Sequence, residues 1–96
     1  MHTPSLKNLL PEKCYLRCEE ILNHYRLLLK DYNINDEEDF NRGHKESGIT
    51  RAKIRSYLLA LSDADVITNY NMMQAMEQYS TAITSIYELW LEEAQF

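Results

Sequence analysis

Between residues 12 and 32 the apolar side chains fall at Cys14, Cys18, Ile21, Leu22, Tyr25, Leu28, Leu29 and Tyr32. Steps of three, four and seven residues put them on one face of an α-helix. Pro11 suits the first turn, where a backbone N–H has no intrahelical acceptor to lose, so the pattern predicts a helix over 11–32. A second stripe runs through Met72, Met76, Tyr79, Ile83, Ile86, Tyr87, Trp90 and Ala94 and predicts a long helix over 72–95. Val66 and Tyr70 point roughly 150° away from that stripe at about 100° per residue. The pattern therefore breaks near the TNYN of residues 68–71, with Asn69 or Asn71 as the cap of the last helix.

The middle of the chain is more punctuated. NIND at 33–36 reads as a turn, and Asn35 with Glu38 three residues later resembles a capping box, which predicts a short acidic helix over 35–42. Gly43 and Gly48 bracket a segment that reads as a loop. Thr50 then caps a helix over 51–61 with the core face Ile54, Tyr57, Leu58 and Leu61, and Ser62 with Asp65 starts another over 63–69. No stretch alternates with period two, and none repeats. The fold class expected is all-α: a small single-domain bundle of four to five helices, with residues 1–8 as an N-terminal tail.

At 96 residues and 45% hydrophobic, the chain can close one modest core. No apolar run approaches the roughly 18 residues of a membrane span, and the N-terminus lacks the apolar stretch of about 7–15 residues that a signal peptide needs. A cytoplasmic protein without a membrane partner is expected. Cys14 and Cys18, four apart on one helix face, read as small buried hydrophobes rather than a disulfide or half of a zinc site.

Catalysis finds little support. His2, His24 and His44 share no spacing, and Glu20 with His24 occurs once, one residue longer than the Glu-x-x-His of helix-bundle metal sites. There is no glycine-rich phosphate loop and no nucleophile motif. The expectation is a protein that is not an enzyme, with no cofactor and no metal.

Charge is segregated along the chain. Counting Lys and Arg against Asp and Glu, residues 1–30 carry +2, 31–41 carry −5, 42–55 carry +4 and 56–96 carry −6, and no Lys or Arg follows Arg55. On the helix over 51–61, Arg51 and Arg55 fall on one flank of the apolar face and Lys53 on the other, with Ala52, Ser56 and Ala60 between them. Leu59, Leu89 and Leu91 project away from the main faces of their helices, which hints at an exposed apolar surface. The candidate partner-binding residues are Arg42, Lys45, Arg51, Lys53, Arg55 and Leu59. The cations meet either the chain's own acidic cluster at 36–39 or an external acid.

The function expected is a small non-enzymatic protein that binds another macromolecule, most often a protein, in the manner of a regulator, inhibitor, immunity or chaperone-like factor. A homodimer is a further option for the off-face leucines. The alternative is a nucleic-acid-binding transcriptional regulator using 42–55. Against that alternative, a segment of about seven residues links the helices where a helix-turn-helix uses three or four, and the preceding helix is acidic. The sequence displays no family motif from which residue roles could be carried over.

Overall fold

The computed structural model describes residues 4–93, and every regular element among them is helical: α1 (Leu6–Leu9), α2 (Glu12–Asp31), α3 (Glu37–Asp63) and α4 (Asn69–Glu93). The all-α bundle expected from the periodicity is what forms. α2 starts directly after Pro11 and buries Cys14, Cys18, Leu22, Tyr25 and Leu29, the stripe that predicted it. α4 buries Ala75, Tyr79, Ile83 and Trp90 and half-buries Met72, Met76, Ile86 and Tyr87. Ala94, the last member of its predicted stripe, lies outside the described residues.

α3 corrects the sequence reading. The predicted helices over 35–42 and 51–61, the glycine-bracketed loop and the first residue of the predicted 63–69 helix form one continuous helix of 27 residues. Neither glycine has a positive φ, and Thr50 is buried inside the helix rather than capping one. A glycine inside a helix costs about 1 kcal/mol relative to alanine, and at Gly43 packing supplies the reason for it. A Cβ built on Gly43 would lie 2.6 Å from Trp90 Cζ3, so only a bare Cα lets the indole sit against the α3 backbone. Phe40 stacks on the same indole at 6.2 Å between centroids, and Tyr87 packs against it at 5.9 Å.

The ends of α3 also differ from expectation, by short steps. Asp36, one residue after Asn35, is the N-cap; its carboxylate accepts from the Asp39 N–H at 3.1 Å. Glu37, Glu38 and Asp39 then occupy the first turn, at the positive end of the helix dipole. At the other end no 63–69 helix forms. Asp65 adopts φ 58°, and the N–H groups of Val66 and Asp65 donate back to the Leu61 and Ser62 carbonyls at 2.9 and 3.0 Å. This Schellman pattern stops α3 and turns the chain over the buried Ile67. Thr68 Oγ1 accepts from the Asn71 N–H at 3.1 Å and opens α4, one residue before Asn69.

α3 and α4 form a long antiparallel hairpin; α2 packs on α3, and α1 closes the end of the core against α4. Leu9 and Leu10 are buried there, and Asn71 Nδ2 donates to the Leu9 carbonyl at 3.2 Å. The Cα radius of gyration is 14.7 Å, against about 12.5 Å for a compact chain of this length. With extents of 44 × 28 × 17 Å, the molecule is at most two helix layers thick, so each long helix keeps a broad face in water.

The two glycines make opposite predictions. Gly43→Ala drives a methyl into Trp90 and should destabilise the fold by about 1–3 kcal/mol despite alanine's better helix propensity. Gly48 has nothing within 4 Å of a Cβ, so Gly48→Ala should stabilise by about 0.5–1 kcal/mol. Urea denaturation of the two variants in dilute solution checks both signs.

Candidate functional site

The continuity of α3 fixes where its cations go, and it separates them. Arg42 bonds Asp39 at 3.2 Å and approaches Glu38 at 3.8 Å, so this cation meets the chain's own acidic cluster. Arg51 leans on α4, where Nη2 donates to Thr84 Oγ1 at 2.6 Å, while its Nη1 is buried without a protein partner. Lys53 lines the groove between α2 and α3. Arg55 is exposed and lines the groove between α3 and α4, Lys45 is exposed farther along α3, and Leu59 is 37% exposed. The six predicted residues do not converge on one patch.

Two surfaces remain as candidates. The groove between α2 and α3 has a volume of about 820 Å³, with Ile21, Ile49 and Tyr57 among its apolar lining. Its rim mixes signs: Arg17 and Lys53 against Glu20 and Glu46, with Arg17 already bonded to Glu20 at 2.9 Å. His24 shares this rim with Glu20. Among the described residues, no three His, Cys, Asp or Glu side chains are placed to hold a metal ion.

The second surface is the outer face of the α3–α4 hairpin. Gly48, Ala52, Arg55, Met76 and Ser80 line a notch of about 380 Å³ there. Counted at about 100° per residue from the buried Ile54 and Tyr79, Leu59 on α3 and Met73 on α4 share the sector that holds Gly48, Ala52 and Ser80. Ser62 Oγ bonds Asn69 Oδ1, and Leu59 and Met73 each stand about one turn inward from that link, so they flank the same groove. Met73 is 65% exposed and Tyr70 63%, which makes this end of the face apolar, whereas Val66 in the turn lines a hollow with Leu9, Leu10 and Pro11.

Sequence reasoning named Leu59 but missed Met73 and Tyr70. For Tyr70 the signal was present: its phase, which reads as a break in the last helix, is the phase of a residue of α4 pointing outward. Of the other two off-face leucines, Leu89 is 60% exposed on a different side of α4, and Leu91 packs partly against the core.

The interior carries thiols and phenols that burial keeps protonated. Burial pushes the Cys18 thiol up to about 11, with the Tyr79 hydroxyl as its neighbour. Burial also raises Tyr25 to about 12 and Tyr79 farther, and neither hydroxyl makes a well-formed hydrogen bond. Tyr57 rises to about 12, first through its interaction with the Cys14 thiol and then through burial. A thiol held protonated is a poor nucleophile and a poor metal ligand. Near the other end His44 Nδ1 lies 3.3 Å from the Tyr87 hydroxyl, a polar contact between α3 and α4.

Groups that hold their protons more tightly folded than unfolded stabilise the fold fully below the unfolded pKa. That contribution disappears as pH climbs toward the folded value. For Cys18 and Tyr25 the stability should be flat up to about pH 9 and fall between about pH 9 and 12. Urea midpoints across that range measure it. In native buffer at neutral pH, the buried Cys14 and Cys18 should resist a thiol reagent that titrates both in urea.

No protein-family model matches this chain, and neither a curated protein nor a solved structure shows significant similarity to it.

Proposed function

We propose that this chain is a non-enzymatic module that binds another macromolecule, a protein, through the outer face of the α3–α4 hairpin. The observation that carries the reading is that exposed Leu59, Tyr70 and Met73 share, by helical phase, the outward sector of the hairpin that borders the notch lined by Arg55. Apolar side chains collected on one exposed surface are the usual mark of an association site. Methionine adapts its shape to what it meets, and the small residues Gly48, Ala52 and Ser80 leave room for close approach.

The nucleic-acid alternative has less support. Its phosphate contacts need cations on one surface, whereas Arg42 is held by acids, Arg51 leans on Thr84 and Lys53 lies on the far side of α3. Among the described residues no helix is long and apolar enough to cross a membrane.

Changing Leu59 and Met73 together to Asp should abolish capture of a cellular partner while leaving the helical circular dichroism intact. Leu89→Asp, equally exposed but outside the sector, should leave capture unchanged. Capture lost with Leu89→Asp and kept with the double variant would move the site off this face. Binding to DNA or RNA with a salt slope that falls when Arg51 and Arg55 become Ala would instead favour the alternative.

A further inference from the structure

We infer that the occupant of the α3–α4 face is a second copy of this chain, docked about a twofold axis that runs parallel to the helices. The inference rests on the reading of that face as an association surface and names its partner. Charge is the first argument. The outward sector of α3 carries Lys45 and Arg55, whereas that of α4 carries Glu77 and Glu88, and α4 contains no cation at all. All four side chains are exposed, and none forms an ion pair among the described residues.

Register is the second argument. The contacts of Gly43 with Trp90, His44 with Tyr87, Arg51 with Thr84 and Ser62 with Asn69 fix which levels of α3 and α4 stand side by side. On that ladder Lys45 stands level with Glu88, Arg55 with Glu77 and Leu59 with Met73. A twofold rotation about an axis parallel to the helices moves nothing along them. It lays α3 of one copy antiparallel on α4 of the other, each residue at its own level.

Three complementary pairs then form twice across the interface: Lys45 with Glu88, Arg55 with Glu77 and Leu59 with Met73. Between the charged pairs, Gly48 and Ala52 meet Thr84 and Thr81, small side chains that permit close helix packing. Of the acids in the outward sector of α3, Asp63 falls level with Tyr70 and Glu38 is already approached by Arg42 at 3.8 Å. An axis perpendicular to the helices would lay α3 on α3 and α4 on α4, cation against cation and acid against acid. The charges therefore select one twofold arrangement over the other.

Size is the third argument. A 25-residue helix is about 37 Å long and two adjacent helices about 20 Å wide, so the face offers about 750 Å² per copy. A standard stable interface buries about 800 Å² per partner. The product is a four-helix bundle of two α3 and two α4 helices with antiparallel neighbours.

Sedimentation equilibrium of the full chain tests this. The wild type should weigh twice its 11.4 kDa chain mass at micromolar concentrations. Arg55→Glu and Glu77→Arg should each weaken the dimer at least tenfold while remaining helical. Mixing the two variants should restore a dimer. The acid introduced on α3 of one copy then faces the cation introduced on α4 of the other, and the native Arg55 and Glu77 that remain face each other. A wild type that stays monomeric at about 200 μM, or a dimer that neither charge variant weakens, overturns the proposal. So does a mixture that fails to associate when both variants are folded. The capture experiment with Leu59 and Met73 changed still decides the wider reading of the face in each of those cases.

Discussion

The architecture depends on the seat of Trp90 on Gly43. A tryptophan ring against a helix backbone is a large buried surface that only a missing Cβ allows. Gly43 is therefore a contact point rather than a hinge, and the helix that contains it runs unbroken from Glu37 to Asp63. Phe40 and Tyr87 close around the same ring, which locks the open end of the hairpin opposite its turn. With that lock at one end and the Schellman turn with the Ser62–Asn69 link at the other, α3 and α4 have a fixed register. Everything said about which surface residues share a face follows from that register.

What was legible in the sequence, and what was not, divides along the same line. α2 and α4 could be read because their apolar stripes are strong and carry no internal breaker, so local periodicity and tertiary packing agree. α3 could not, because two glycines five residues apart lower local helix propensity by about 2 kcal/mol. The residue that compensates at Gly43 lies far along the chain. Trp90 was visible as a member of the last stripe, but nothing in one sequence pairs it with a particular glycine. Caps were misplaced, by one residue at Asp36 and by one or three at Thr68, because neighbouring Asn, Asp and Thr side chains compete for the same backbone N–H groups.

The site was legible as chemistry but not as geometry. The sequence identified Arg51 and Arg55 on one flank and Lys53 on the other, and the helical phase of α3 keeps that division. It left Arg42 to meet either the acidic cluster at 36–39 or an external acid, and the structure sets it on Asp39 and Glu38. The sequence could not show that Leu59 and Met73 stand level, because that relation exists only once the hairpin is closed.

The end of positive charge at Arg55 acquires a physical meaning from this geometry. An exposed ion pair contributes at most about 1 kcal/mol, so Lys45, Arg55, Glu77 and Glu88 are too weak to hold two molecules together. Attraction has to come from apolar burial, and Leu59, Met73 and their neighbours supply it without preferring one orientation strongly over another. In the proposed dimer the charges decide between orientations, because reversing the approach replaces each cation–acid attraction by a repulsion, and the difference between two arrangements is twice the strength of either. A helix with no cation beside one whose outward cations are unpaired is therefore a directional device. Moving Lys45 from α3 to the outward sector of α4 would leave the composition and net charge of the chain unchanged and weaken the preference, since only Arg55 with Glu77 would still favour it.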